Sequence, residues 1–349
     1  MSGLEGVVVA DTRLSEVDGE RGRLIIAGHD VEELRATFEG VCALLLGPAD
    51  WQADLARARV ATFERLGALG DALDLVDGMD ALRAGVAHLP GESDVARAIG
   101  AFPVIVAAWA RRRRGLAPIA PDPALSHAAD YLRMLDGERP SAARVAGLEA
   151  YLVTVSDHGM NASTFTARVV ASTGSDLVSS LTAAIGALKG PLHGGAPGPV
   201  LDMLDAIGAP ARAEAWLQDE LVAGRRIMGM GHRIYRVRDP RAAVLERALE
   251  ELERAVGVST GRLALARAVE RAAEGVLRVR YPSRPLRANV EFYTAVLLDA
   301  LGIPRTAFAP TFAIGRVVGW CAHVAEQRAE GRLIRPASRY VGTMPDSRA

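Results

Sequence analysis

The feature that most limits what this chain can fold into is the spacing of its apolar residues, which recur every three or four positions in most windows. That period matches the turn of an α-helix, so each such segment can bury one apolar face. Alanine, leucine and arginine are the most frequent residues, and only 5% of the residues are aromatic. These residue types favour helices, and the sequence therefore predicts an all-α fold.

Individual helices follow from this period together with the Gly, Pro, Ser and Asp signals between them. The first predicted helix starts at Val31, behind a capping box formed by Asp30 and Glu33, and ends before Gly47. The other predicted helices are 51–69, 92–110, 140–157, 161–172, 176–189, 198–207, 211–223, 240–256, 261–279, 287–301 and 305–329. The one β-structure expected is a small N-terminal hairpin in which residues 6–10 pair with residues 23–27.

The size and charge of the chain limit its function. With 349 residues, half of them hydrophobic, it can form two domains or one large one. Its 41 Lys and Arg nearly balance its 42 Asp and Glu, so no overall charge favours nucleic acid or an anionic membrane.

Cys42 and Cys321 lie far apart in apolar segments, which predicts buried, reduced thiols. We see no export signal, membrane span, metal-ligand cluster or phosphate loop, and expect a cytoplasmic protein without metal or prosthetic group.

Three histidines lie beside glycine or in polar, turn-like segments, where an imidazole can contact a small molecule. They are His158 in Asp-His-Gly, His193 in Gly-Pro-Leu-His-Gly-Gly and His232 in Gly-Met-Gly-His-Arg. A single histidine in a helical protein is more often structural than catalytic. The set is nevertheless followed by other residues that suit an anion-binding active site.

Three arginines and one glutamate are the other candidates. Arg241, Arg316 and Arg335 could together hold a di- or tricarboxylate, because a guanidinium can form two parallel hydrogen bonds to a carboxylate. Taken singly, each is better explained by an ordinary salt bridge. Glu291 follows Asn289, which is a candidate N-cap. Its carboxylate could act as a base, although the local sequence alone favours a helix-stabilising role in the first turn.

In order and spacing, these segments resemble the citrate synthase family closely. The matching stretches are Asp157-His158-Gly-Met-Asn161-Ala-Ser-Thr-Phe, Gly190-Pro-Leu-His193-Gly-Gly-Ala, Met228-Gly-Met-Gly-His232-Arg-Ile-Tyr, Asp239-Pro-Arg241, Asn289-Val-Glu291-Phe-Tyr, Phe312-Ala-Ile-Gly-Arg316-Val-Val-Gly-Trp320-Cys-Ala-His323 and Ile334-Arg335-Pro336. The resemblance extends from near Gly3 almost to Gly342. So many motifs in one order form a specific signal.

The resemblance implies a helical homodimer whose large and small domains close over an acyl-CoA and oxaloacetate. Residues 1–194 and 303–349 would form the large domain, and residues 195–302 the small one. The glycine and proline cluster at residues 194–199 would be the hinge. CoA would enter only as part of the substrate, so the resemblance implies no separate cofactor.

The same resemblance implies a role for each candidate residue. His193 would hydrogen-bond the thioester carbonyl and stabilise its enolate, His232 would polarise the ketone of oxaloacetate, and Glu291 would accept the proton. The residues implied in substrate binding are His158, Arg241 and Arg316 for oxaloacetate, Arg335 for the oxaloacetate site of the partner subunit, and Gly229, Gly231 and Arg236 for CoA.

Two positions depart from the family pattern. Glu291 stands where the family usually has aspartate, and Pro197-Gly198 replaces a common Asn-Glu pair. One extra methylene moves a carboxylate by about an ångström, which can lower a rate ~100-fold unless the backbone compensates, as we expect here.

Two alternative functions stay open. One is 2-methylcitrate synthase, which uses propionyl-CoA and differs by a methylene worth ~1–3 kcal/mol. The other is a catalytically impaired relative that binds CoA or dicarboxylates.

Overall fold

The computed structural model describes residues 4, 6–91, 93–193, 197–257 and 261–344. A small sheet comes first along the chain, and helices follow. Within the described residues the α-helices are α1 Phe38–Leu46, α2 Trp51–Glu64, α3 Gly78–Ala87, α4 Val95–Arg112, α5 His127–Asp136, α6 Ala142–Thr154, α7 Ala162–Ser172, α8 Leu177–Leu188, α9 Pro197–Ile207, α10 Ala213–Val222, α11 Pro240–Val256, α12 Arg262–Arg280, α13 Val290–Ala300 and α14 Phe308–Glu330. Three 3-10 helices, Leu66–Asp74, Pro210–Arg212 and Arg305–Ala307, lie between them. The all-α prediction is confirmed.

In the part of the chain that the structure describes, no helix combines the length and the apolar character that crossing a bilayer requires.

The sheet is antiparallel and has the strand order β1-β2-β3. Its strands are β1 Ser15–Asp18, β2 Arg23–Ile26 and β3 His29–Asp30. The second strand of the predicted hairpin is confirmed, but residues 6–10 form no strand, and β1 takes their place. The cause is a tight turn after β1, in which Asp18 Oδ1 accepts the N–H groups of Glu20 and Arg21. Residues 6–10 would need a much longer loop to reach β2, with a larger entropy loss.

The first helix begins later than predicted. Asp30 belongs to β3, where it pairs with Ile25, so the capping box predicted from Asp30 and Glu33 is wrong. Thr37 is the actual N-cap of α1, and its hydroxyl accepts the N–H of Gly40 at 3.1 Å. Strand pairing at Asp30 therefore overrides the local capping pattern.

The other predicted helices are confirmed with shifted ends, and residues 51–69 divide into α2 and the first 3-10 helix at Arg65. Two helices, α3 and α5, fall outside the sequence prediction. Both have ordinary N-caps: Asp77 accepts the N–H groups of Met79 and Asp80, and Ser126 accepts the N–H of Ala129. The signals for both starts are therefore present in the sequence.

The core is one continuous apolar cluster to which helices along the whole chain contribute. α2 and α4 cross so closely that a Cβ at Gly100 would lie 2.5 Å from the Cβ of Ala58. Cys42 and Cys321 are buried in this core and are not disulfide-bonded, as predicted.

α14 supports the segment that follows α6. A Cβ at Gly319 would lie 2.3 Å from the Ser156 carbonyl oxygen, and one at Gly315 would lie 2.5 Å from Val155 Cγ2. Glycine at both positions allows the helix and the segment to approach each other closely. Arg316, between these glycines, donates a hydrogen bond from Nε to the Val155 carbonyl at 2.6 Å. This contact places a buried guanidinium beside the segment that carries the first predicted site histidine.

Candidate active site

Two of the predicted histidines, His158 and His232, face each other. Their ring centroids are 5.6 Å apart in an edge-to-face arrangement. Tyr235 packs against both rings, and its hydroxyl lies 3.2 Å from Nε2 of His158. The fold therefore brings together imidazoles from the segment after α6 and from the loop before α11.

The backbone fixes the ring of His232. Its Nδ1 accepts hydrogen bonds from the N–H groups of Ile234 and Tyr235 at 3.0 and 3.1 Å. Burial, together with the charge of Arg241, lowers the pKa of His232 to about 4. The ring is neutral at pH 7, with its proton on Nε2, because Nδ1 acts as an acceptor. His232 can therefore donate one hydrogen bond from Nε2 to a ligand oxygen.

His193 is held by the N-terminal turn of α7. Its Nε2 accepts the backbone N–H of Ser163 at 3.1 Å and lies 2.8 Å from the Ser163 hydroxyl. That hydroxyl donates to Asn161 Oδ1 at 2.8 Å and accepts the indole N–H of Trp320 at 3.1 Å. Burial, together with the charge of Arg316, lowers the pKa of His193 to about 4. The neutral ring thus carries its proton on Nδ1 and can donate it to a ligand.

Asp239 connects the loop before α11 with the start of α13. Its carboxylate accepts hydrogen bonds from Arg241 Nε at 3.0 Å and Nη2 at 2.7 Å, and from the N–H of Val290 at 3.2 Å. Both Asp239 and Arg241 are buried. Because Val290 directly precedes Glu291, this one carboxylate holds the Arg241 guanidinium beside the predicted base.

Glu291 lies in the first turn of α13, behind Asn289, whose Oδ1 accepts the Glu291 N–H at 3.0 Å. The Oε2 atom of Glu291 is shielded from solvent and has no hydrogen-bond partner among the described residues. Burial raises the pKa of Glu291 to about 7, against the opposing charges of Arg241 and Arg316. A carboxylate that changes protonation state near neutral pH suits the role of proton acceptor.

Arg316 is a buried cation whose charge affects several of the predicted site residues. Its Nη2 has no hydrogen-bond partner among the described residues. Burial lowers the pKa of Arg316 to about 10, so it is still protonated at pH 7. Its charge acts on His158, His193 and Glu291, which therefore lie in one region of the fold. A buried guanidinium with an unpaired N–H group is suited to bind a ligand carboxylate.

A polar network behind this region lies outside the predicted site. The Asp157 carboxylate accepts a hydrogen bond from Ser15 Oγ and lies 3.2 Å from Nε2 of His323. His323 Nδ1 lies 2.9 Å from Arg168 Nη1, which can only donate, so His323 Nε2 donates to Asp157. Burial alone would raise the pKa of Asp157, but His323, Arg316 and Ser15 lower it below its usual value. Asp157 is therefore a fixed negative charge.

Two predicted arginines lie at the surface. Arg236 is in the His232 loop, where its charge helps to lower the pKa of His232, whereas Arg335 is not brought to the other site residues. Arg236 is exposed, and its Nη1 donates to the Arg233 carbonyl at 3.2 Å. Arg335 is exposed in the extended segment after α14, and no hydrogen bond or ion pair joins it to another predicted site residue within the described part of this chain. Their roles toward CoA and toward a partner subunit stay predictions.

The structure gives the glycines at 229 and 231 a backbone role. Both have positive φ angles, +73° at Gly229 and +88° at Gly231. Gly231 N–H donates to the Arg287 carbonyl at 2.7 Å, and Asn289 N–H donates to the Gly229 carbonyl at 2.9 Å. The two glycines thus join the His232 loop to the start of α13, and their predicted contact with CoA stays untested.

The predicted hinge is described only in part. Residues 194–196 lie outside the described residues. Pro197 is the first residue of α9, a position that tolerates proline because the first helical N–H needs no partner within the helix. The proline that departs from the family pattern therefore starts a helix.

The residues that the sequence prediction missed mainly contact the predicted site residues. Ser163 and Asp239 lie inside quoted motifs. Asp239 was detectable as the N-cap of α11, and Ser163 lies two residues after Asn161, the N-cap of α7. Tyr235 also lies inside a motif, but its packing against two histidines depends on the folded chain. Ser15 lies in a strand that the prediction did not contain, and no local signal identifies it.

Comparison with known protein families gives one match along most of the chain. Residues 3–337 match the family model described as citrate synthase, C-terminal domain. Citrate synthase of Haloferax volcanii is 38% identical, over 97% of this chain and 95% of that protein. The 2-methylcitrate synthase of Mycobacterium tuberculosis is 39% identical, over 97% of this chain and 90% of that protein.

Solved structures agree with the sequence comparison. The crystal structure of citrate synthase from Thermotoga maritima superimposes with a TM-score of 0.85 at 36% identity, covering 99% of this chain and 97% of that one. A ternary complex of Thermoplasma acidophilum citrate synthase with carboxymethyl coenzyme A and oxaloacetate superimposes with a TM-score of 0.87 at 28% identity, with the same coverage.

Proposed function

Because the chain belongs to the citrate synthase family, we propose that it is an enzyme that condenses acetyl-CoA with oxaloacetate, giving citrate and free CoA. One observation carries the assignment of roles within the chain. A single region of the fold holds two neutral histidines with available donor nitrogens, a carboxylate with an unpaired buried oxygen, and two buried arginines.

The first chemical step removes a proton from the thioester methyl group. This carbon is a very weak acid, so a base can act at neutral pH only if the developing enolate oxygen is stabilised. We assign that stabilisation to the Nδ1–H of His193, which points away from its bond to Ser163. Glu291 accepts the proton, since its carboxylate has no partner in the described residues that would compete for it.

The second step joins the two substrates. The nucleophilic carbon attacks the ketone of oxaloacetate, and the Nε2–H of His232 hydrogen-bonds the ketone oxygen as it gains charge. Arg241 and Arg316 bind the carboxylates of oxaloacetate, and His158 adds a further polar contact. Water then hydrolyses the citryl thioester and releases CoA with a free thiol. The reaction needs no prosthetic group.

Further assignments rest on the family resemblance. We propose that the protein is a cytoplasmic homodimer in which Arg335 reaches the site of the other subunit. Arg236, Gly229 and Gly231 would contact CoA. Residues 195–302 would close as a small domain over the large one, which excludes water from the thioester until condensation has occurred.

The test is release of CoA thiol on mixing the protein with acetyl-CoA and oxaloacetate. We expect His193→Ala to lower the rate at least ~100-fold, because it removes the hydrogen bond to the enolate. His88→Ala is a matched control, since His88 is the exposed C-cap of α3 and, among the described residues, its ring hydrogen-bonds the Ala84 carbonyl of the same helix. If folded wild-type protein releases no thiol from either acetyl-CoA or propionyl-CoA, the protein is instead a catalytically impaired relative.

A second candidate activity is 2-methylcitrate synthesis from propionyl-CoA. The specific support is that the 2-methylcitrate synthase relative is as similar to this chain as the citrate synthases are, at 39% against 38% identity. The kcat/KM values for acetyl-CoA and propionyl-CoA decide between the two. One methylene in an apolar pocket can change this ratio by about 10–200-fold.

A further inference from the structure

Strand β1 contacts the loop that carries His158 through one side chain. Ser15 Oγ donates a hydrogen bond to the Asp157 carboxylate and accepts the N–H of Gly159 at 2.8 Å. Asp157 and Gly159 are the residues directly before and after His158. One hydroxyl therefore connects both sides of this histidine to the sheet.

The turn after β1 contacts the loop that carries the other oxaloacetate histidine. The N–H of Arg236 donates to the Gly19 carbonyl at 2.9 Å. A Cβ at Gly19 would lie 2.4 Å from the Ile234 carbonyl oxygen, so only glycine allows this approach. The N–H of Ile234 in turn holds the ring of His232. The same short strand and turn thus support both histidine loops.

The His158 loop depends on such support. Gly159 has a φ of +56°, and the loop lies between the end of α6 and the start of α7, outside the hydrogen-bond ladder of either helix. The Tyr235 hydroxyl lies 3.2 Å from Nε2 of the His158 ring. The direction of the ring therefore depends largely on its backbone. Ser15 holds that backbone from the sheet side, and the Asn161 amide holds it from the start of α7 by donating to the carbonyls of His158 and Gly159.

We propose that Ser15 is a positioning residue for oxaloacetate binding, and that β1 with its turn braces His158 and His232 against each other. This inference rests on the proposed function, because it takes both histidines as oxaloacetate ligands. Ser15 does not touch substrate. It acts by keeping His158 at the distance and angle at which its imidazole meets the ligand.

The test is a kinetic comparison of Ser15→Ala with wild type. We expect KM for oxaloacetate to rise about tenfold, the effect of losing one well-placed hydrogen bond, while kcat and KM for acetyl-CoA change less than about threefold. Ser15→Thr keeps the hydroxyl and should restore KM for oxaloacetate. A merely structural role would lower stability and leave the KM of the folded fraction unchanged.

Ser126→Ala is the matched control. The Ser126 hydroxyl also bridges a backbone N–H, from Ala129 at 3.2 Å, and a carboxylate, that of Glu149 at 3.4 Å, but it caps α5 and belongs to none of the substrate-binding groups. A rise in KM for oxaloacetate in this variant equal to that in Ser15→Ala would overturn the proposal. So would an unchanged KM in Ser15→Ala.

Gly19→Ala tests the brace independently of Ser15. Its Cβ must displace the Ile234 carbonyl, so KM for oxaloacetate should again rise, whereas Gly275→Ala, which meets no atom within 4 Å, should leave it unchanged. Calorimetric titration with oxaloacetate separates this proposal from the proposed function. If wild type binds oxaloacetate but releases no thiol, only the catalytic assignment is contradicted. If wild type, Ser15→Ala and Gly19→Ala bind oxaloacetate with equal affinity, the proposed positioning role of β1 and its turn is contradicted.

Discussion

Two shielded carboxylates lie at helix α13, Glu291 within the helix and Glu270 on α12 in contact with it, and they differ in their hydrogen-bond partners. Glu270 accepts hydrogen bonds from Arg238 Nε at 2.6 Å and Nη2 at 3.0 Å, and from the Tyr293 hydroxyl at 2.6 Å. Glu291, two residues before Tyr293, has a buried oxygen without any partner among the described residues. Arg241, whose charge acts on Glu291, directs two of its nitrogens to Asp239 instead.

The number of hydrogen-bond partners distinguishes a shielded carboxylate with a structural role, Glu270, from one that can accept a proton, Glu291. A buried carboxylate that accepts several hydrogen bonds from charged and hydroxyl donors, as Glu270 does, stabilises the fold. One that is shielded and unpaired destabilises the fold and has a raised pKa, as Glu291 does. Reactive sites commonly lower stability in this way.

The largest expected difference between the two is in turnover. Glu291→Gln removes the proton acceptor at nearly constant volume, so kcat should fall ~10²–10⁴-fold. Glu270→Gln keeps every group of the proposed reaction and should change kcat less than about threefold. It should instead lower the free energy of unfolding by about 1–3 kcal/mol, because Arg238 loses one of its two charged partners and keeps only Glu246. Steady-state kinetics and urea unfolding of both variants measure this.

Glu291→Asp is the control that keeps a carboxylate. We expect it to retain or raise turnover, since aspartate is the usual residue of the family at this position. Equal activity of wild type and Glu291→Gln would exclude Glu291 as the base. A loss of kcat in Glu270→Gln as large as in Glu291→Gln would show that hydrogen-bond saturation does not distinguish the two carboxylates.

The fold was largely predictable because helices are encoded locally. Apolar period and capping residues identify most of the helices, and the caps at Asp77 and Ser126 were present for the two that were missed. The sheet was harder, because the partner of β2 depends on a turn closed by Asp18 rather than on the apolar character of residues 6–10. Strand pairing is a choice between distant segments, and local pattern does not decide it.

The grouping of the candidate site residues was predictable from the sequence motifs. His158, His193, His232, Arg316 and Glu291 all lie in the predicted region. The groups that fix their tautomers and orientations were not predictable, because those roles follow from tertiary contacts such as that of the Ser163 N–H with His193 Nε2. No spacing in the chain encodes such a contact.

A smaller difference should appear in the pH dependence of catalysis. Because burial raises the pKa of Glu291 to about 7, kcat/KM should fall about tenfold per pH unit below that value, as the base takes up a proton. His193 and His232, with pKa values of about 4, stay neutral over this range and should not contribute. Kinetics from about pH 5.5 to about pH 9 measure the profile. A kcat/KM that stays constant down to the acid end of this range would contradict the assignment, because a glutamate with its ordinary pKa of 4.5 is still ionised there.

The smallest expected difference is in stability, and its sign follows from proton binding. The folded state holds the Glu291 proton with a pKa of about 7, against 4.5 for an ordinary glutamate, so folding is progressively disfavoured as pH rises between these values. Above pH 7 the full penalty is present, about 3 kcal/mol at most, and at pH 4 it is absent.

Glu291→Gln removes the ionisable group and with it this pH-dependent penalty. In urea unfolding this variant should therefore be more stable than wild type at pH 8 and about equal to it at pH 4, whereas Glu270→Gln should be less stable than wild type at pH 8. Equal stability of wild type and Glu291→Gln at pH 8 would mean that the Glu291 carboxylate has a partner in solution, and the contrast between the two carboxylates would then fail.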